Sequence, residues 1–367
     1  MNFRFLPAIA VLVAYVPLVH AQQTPPAVPQ ERSHMHRAKE QSGGFMQGGM
    51  NHAIATGVLL DQKVDQASHT IILRIGPMNL PANTSHMKMP QPPDLTWEIP
   101  LTGWLLSYHP HVVDAAGNTV PGTVLHHVAF WNENRSDFLC PNKDEHIFGA
   151  GSELTNWAKI PGFGYRVQKG DRIRVETMIH NPTSAAYDKA FLQIEIEYLD
   201  DATPAPVKNT YPAWMDVSSC GNSGYDLPAG PSTKTGFVSV KYSGILLGVG
   251  GHMHDYAQQL VLEDATRKET LATLKAHTDA KGQLLDMPVV TFYAKGGEKL
   301  SAGDQLKITA RYNNTSAKLL RQGAMGIVVG YFTPADDHVL DSLRHAPKTP
   351  AHHVHDMKDM LGVSHDQ

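Results

Sequence analysis

From about residue 53 the chain breaks into short runs that are apolar or that alternate apolar with polar positions. "LQIEIEYL" within "AFLQIEIEYL" alternates almost without fault, and "HTIILRIG", "TGWLLSYHP", "TVLHHVAFW" and "DRIRVETMIH" are further short runs, apolar or alternating. A period of two puts successive side chains on opposite faces, so these runs predict β-strands. "DAAGN", "PGFG" and "QKGD" lie between them as turn signals. A proline-bearing stretch without periodicity, "DDATPAPVKNTYPAW", predicts a linker over 201–214. Beyond it come "TGFVSVKY", "GILLGVGGHMH", "QQLVLEDA", "PVVTFYA", "DQLKITARYN" and "GAMGIVVGYF", again strand-like. The prediction is an all-β protein of two consecutive β-sandwich, jelly-roll-like domains, 53–200 and 215–335, with flexible N- and C-terminal segments.

The two ends differ from this body. Residues 1–21, "MNFRFLPAIAVLVAYVPLVHA", combine a basic start, an apolar run and a small-residue ending, which predicts a secretory signal cleaved after Ala21 and a secreted or periplasmic protein. Residues 22–52 are rich in Pro, Gln and Gly and predict a flexible Met- and His-containing segment. Residues 336–367 form a tail with six histidines. No later stretch reaches the ~20 apolar residues that span a bilayer, so no stable membrane anchor is expected. A net charge of −4 without a basic block argues against nucleic acid as a partner.

Composition then directs attention to metals. The chain holds 21 histidines against 11 phenylalanines and 12 tyrosines, and neutral imidazole is the commonest protein metal ligand. In "GHMH", His252 and His254 would share a strand face while Met253 turns away. A third donor is needed, and the same half offers His277 and Met325; a thioether beside imidazoles selects copper. The first half carries the adjacent pair His126 and His127, which reach one ion only if their strand bends or bulges or each bonds through a different ring nitrogen. His180, at a strand end before Pro182, offers a third nitrogen. His109 and His111 form a further pair interrupted by Pro110. Taken singly, Met325 reads as core packing and an isolated histidine as surface or hydrogen-bonded core. Cys140 and Cys220, the two cysteines, can pair in an oxidising compartment or stay as buried thiols.

The order of these residues resembles the copper type II, ascorbate-dependent monooxygenases, the family of peptidylglycine α-hydroxylating monooxygenase and dopamine β-monooxygenase. The resemblance spans about residues 70–335 and rests on a His-His dyad, a lone histidine, H-x-H and a late methionine. It implies two coppers: an electron-donating one on His126, His127 and His180, and one that meets oxygen on His252, His254 and Met325. It further implies a small-molecule substrate with O₂, and ascorbate or another one-electron reductant. In peptide-amidating members an arginine precedes the H-x-H by two residues, and asparagine and tyrosine follow the methionine by two and four. Here Gly250, Ile327 and Val329 stand there, and none of them can grip a carboxylate as an arginine fork does. A less polar substrate is therefore expected.

A rival reading is an exported copper-binding or storage protein on the same scaffold, and a third is structural zinc at one site, which would have no use for Met325. "CGNSGY" lacks the aspartate and histidine context of a serine protease, and "GVGG" lacks the frame of a dinucleotide site.

Overall fold

In the computed structural model, residues 53–151, 157–202 and 207–345 are described; the predicted signal (1–21), the Met- and His-containing segment (22–52) and most of the His-rich tail (346–367) lie outside them. Among the described residues every regular element is a β-strand or a short 3-10 turn, as the alternation predicts. No helix there is long and apolar enough to cross a membrane.

The first half is organised by its most regular strand. Tyr187–Asp200 buries Ala190, Leu192, Ile194 and Ile196 on one face and turns Glu195 and Glu197 outward. It pairs antiparallel with Thr70–Leu80, setting Leu73 opposite Ile194. Packed against them is a four-stranded sheet in the order Leu95–Glu98, Arg172–Ile179, Leu125–Ser136, Asp144–Gly151. Ile71, Leu73 and Ile75 from one sheet and Val128, Phe130, Ile173 and Val175 from the other form one core, each with no exposed surface. Burial of such side chains stabilises by roughly 1.5–3 kcal/mol each.

The second half repeats the plan. Gly230–Ser239, Gln305–Asn314, Ala257–Asp264 and Glu269–Lys275 make a four-stranded sheet. Its Leu260, Leu262, Ile308 and Ala310 share a core with Met215, Leu246, Val328 and Phe332, which lie on Lys208–Asp216, Gly244–His252 and Ile327–Pro334.

The halves are joined through strand pairing. Residues 208–214, expected as linker, belong to the Lys208–Asp216 strand. It pairs parallel with Phe163–Val167 over 208–210 and antiparallel with Ile327–Pro334 over 211–216. Tyr211 and Ala213 are buried there, and the burial, not the local pattern, makes it a strand. Pro212 lies beyond the end of the parallel pairing, where its missing N–H costs no ladder bond on that side. One twelve-stranded sheet consequently runs through both halves. A further apolar cluster bridges them, with Ala129 and Trp131 packed on Met325, Ile327 and Val329. Cys140 and Cys220 form a disulfide with Cα atoms 5.6 Å apart, and Phe138 and Leu139 beside it insert into the core of the second half.

Candidate metal centre

The register of Leu125–Ser136 against Arg172–Ile179 places His127 opposite Met178 and Leu125 opposite Ile179, leaving His126 as the extra residue of a β-bulge. On a regular strand the two rings would diverge; the bulge brings their centroids to 4.8 Å. His180 follows Ile179 directly. Its main-chain N–H donates to Val124 O at 3.1 Å, and its ring Nε2 donates to the Thr123 carbonyl at 2.5 Å. That bond fixes the tautomer and leaves Nδ1 with a free lone pair. The His126 and His180 rings are 5.1 Å apart.

A histidine absent from the sequence reading completes this group. His86, on the 3-10 turn His86–Lys88, stacks on His126 with centroids 4.6 Å apart and planes 8° from parallel. One donor atom from each of His86, His126 and His180 lies within 4.8 Å of the other two. His127, expected as the third member, touches His126 but is outside that trio. His86 carries no periodic signal and sits on a turn forty residues before His126, so only an odd "SHMKMP" marked it.

In the second half, His252 lies opposite Ile327 and Gly250 opposite Val329. These four residues share a sheet face, while Met253 points into the core cluster and is 1% exposed. His254 lies just past the strand end, its ring centroid 5.4 Å from that of His252. Met325 precedes the partner strand by two residues and is buried against the first half. One hydroxyl ties both segments. Tyr312 Oη accepts from the His254 N–H at 2.9 Å and the Met325 N–H at 3.2 Å, and donates to the Met325 carbonyl at 2.5 Å. Burial drives its phenol pKa upward, so it stays protonated as that bond requires. Tyr312 too escaped the sequence reading, since "ARYNN" alternates like any strand.

The two groups of histidines adjoin, His126 and His254 having ring centroids 6.1 Å apart. Burial holds His126 and His127 far below the usual imidazole range, and neighbouring imidazoles add to it. Burial likewise takes His254 down to about 3, with His252 contributing. All three are therefore neutral at physiological pH, as metal ligation demands. Both ring nitrogens of His127 and Nε2 of His254 are buried with no hydrogen-bond partner, which costs free energy unless another group satisfies them. Imidazoles with a thioether fit a borderline-to-soft ion such as copper and suit magnesium or calcium poorly. His277, by contrast, is exposed and bonds Asp286 at 3.0 Å, and His111 faces Glu195 at 3.9 Å.

A cavity of about 540 Å³ opens at Gly250 and Val329, the pair next on the sheet face to His252 and Ile327. Its lining includes Gly250 and Val329, with Trp157, Tyr331, Met287 and Val289 as walls. Among the described residues, the charged groups on its lining are Lys159 and Asp286, engaged by Glu197 at 2.7 Å and His277 at 3.0 Å.

No protein-family model matches the chain. Two curated proteins are similar to it. "Probable copper-dependent oxygenase clz3" of Cochliobolus lunatus is 23% identical over 229 residues, 57% of this chain and 72% of that protein. "Probable copper-dependent oxygenase M1" of a Phoma species is 24% identical over 229 residues, 57% of this chain and 58% of that protein. Among solved structures, the major capsid protein P2 of bacteriophage PM2 covers 71% of this chain and 97% of its own at 10% identity and a TM-score of 0.31, a likeness too slight to bear on function.

Proposed function

We propose that this chain is a copper-dependent monooxygenase that hydroxylates a C–H bond of a small, largely apolar molecule, using O₂ and an external one-electron reductant such as ascorbate. The observation that carries the reading is the adjoining of two donor groups, one from each half: His86, His126 and His180 with nitrogens within 4.8 Å of one another, and His252 with His254, whose ring stands 6.1 Å from that of His126 and whose backbone Tyr312 ties to that of Met325. The two similar proteins, both named as copper-dependent oxygenases, support it. His126 and His180, with one further imidazole, would hold one ion; His252, His254 and Met325 would hold the other. Copper, when bound, supplies one-electron redox chemistry and oxygen binding, with the thioether favouring the reduced ion. The overall conversion balances as RH + O₂ + 2e⁻ + 2H⁺ → ROH + H₂O.

The protein's own share is positioning. The Thr123 carbonyl fixes the tautomer of His180, and the Tyr312 hydroxyl holds the backbones of His254 and Met325 together. The cavity over Gly250 and Val329 would bind the substrate by apolar contact and keep water out. With Gly250, Ile327 and Val329 at the positions that grip a carboxylate in peptide-amidating enzymes, a charged peptide terminus finds no counter-charge there. Export to an oxidising compartment belongs to the same proposal and is supported by the disulfide.

The test is copper content together with oxygen consumption on adding ascorbate, for the wild type, Met325→Ala and His126→Ala. The expected result is two coppers in the wild type and about one in each variant, with reductant-dependent uptake confined to the wild type. Two coppers without uptake under any reductant would leave the exported copper-binding reading. A single zinc indifferent to Met325 would withdraw both.

A further inference from the structure

We propose that His86, and not His127, is the third imidazole of the first metal centre, and that Gln91 is the positioning residue that holds it there. The inference rests on the copper reading above and identifies the ligand which that reading leaves open.

Two independent features of the fold carry it. The first is donor geometry, since His86, His126 and His180 offer nitrogens within 4.8 Å of one another. An ion that binds each at ~2.0–2.1 Å needs only small ring rotations to draw them in. His127 instead continues the row of Ala129 and Trp131 on the strand face that packs against Met325, Ile327 and Val329. It is aimed at the second half.

The second feature is how firmly the His86 turn is fastened to both flanks of His180. Gln91 is 5% exposed. Its Oε1 accepts from the Ile179 N–H at 2.8 Å, and its Nε2 lies 3.0 Å from His86 O, 3.2 Å from Met89 O and 3.1 Å from Ile179 O. On the other flank, Thr84 and Asn181 exchange a pair of main-chain hydrogen bonds at 2.7 and 2.8 Å. A turn that merely connected two strands would have no need of attachment at residues 179 and 181. Fastened in this way, His86 has its place set relative to His180 before any ion arrives. Outer-shell partners of this kind typically alter metal affinity 10–100-fold when removed.

The experiment compares metal-free full-length protein reconstituted with Cu(I) or Cu(II), reading copper per chain, the Cu(II) electron paramagnetic resonance spectrum and Cu(I) affinity. Circular dichroism and the melting temperature of each metal-free variant serve as the folding control. His86→Ala and the bulkier His86→Gln should each lose the ion that His126→Ala loses. The double variant His86→Ala/His126→Ala should therefore lose no more than either single one, whereas His86→Ala/Met325→Ala should lose both ions. His127→Ala should keep the first-centre signal. Gln91→Leu should keep both ions at saturation and weaken Cu(I) binding at the first centre at least tenfold. Wild-type load and spectrum in both folded His86 variants would overturn the assignment, as would loss of the first-centre signal in His127→Ala. Unchanged affinity in Gln91→Leu would overturn the role of Gln91. A wild type that takes up no copper would instead defeat the reading on which the assignment rests.

Discussion

His254 shows how much a residue's surroundings matter. Its identity marks it as a ligand candidate, but burial and the neighbouring His252 are what take its pKa to about 3; His126 and His127 are lowered in the same sense, chiefly by burial. In the unfolded chain each would titrate near pH 6.5. Between that value and the folded one, the unfolded state binds a proton that the folded state does not, so stability rises with pH and is lost as pH falls below about 6.5. The metal-free protein should therefore unfold at lower urea at pH 5 than at pH 7.5, and His126→Ala should narrow that difference. Equal midpoints at the two pH values would mean that these imidazoles are better solvated than the fold implies. The H-x-H and the dyad were legible as residues. His86 and Gln91 were not, because a turn residue and a buried amide declare their roles only through partners as distant as Ile179.

Pairing between elements decides what the donors can reach. The bulge at His126 is a single-residue slip in register, and without it the dyad would point to opposite faces. In the second half, Gly244–His252 and Ile327–Pro334 must lie close enough to hold His252 opposite Ile327, two residues beyond Met325. Gly330 permits this, since a Cβ there would stand 2.4 Å from the Gly248 carbonyl and 3.0 Å from Val249 Cγ1. Gly330→Ala should cost about 1–3 kcal/mol and release the ion that depends on Met325, while the His126-dependent ion stays. Gly122→Ala, whose added carbon meets nothing within 4 Å, is the control in melting and copper analysis. Full copper load in Gly330→Ala would show that the strands part without moving the donors. The strands themselves were readable from period-two patterning; which strand pairs with which, and where the register slips, were not, because both depend on residues far apart in the chain.

For the molecule as a whole, the Cys140–Cys220 disulfide and the parallel pairing of Lys208–Asp216 with Phe163–Val167 bind the two halves. The cross-link closes a loop of 80 residues, which constrains the unfolded chain by about 4–5 kcal/mol in the entropic description. Replacing both cysteines by serine should lower the urea midpoint by an amount of that order or somewhat less. Both halves should still unfold in one transition, through the sheet they share; two separated transitions in calorimetry would show that the pairing couples them weakly. By itself the sequence determined the all-β class, since a period of two with turn residues between runs admits little else, and it marked most of the imidazoles and the thioether as candidate donors, since residue type alone dictates that chemistry. Only the tertiary structure decided that 208–214 is a strand, that the halves share a sheet, that His86 stands beside His126 and His180, and that the donor groups meet. Those outcomes follow from burial and long-range pairing, and no local pattern encodes the distance between residues ninety positions apart.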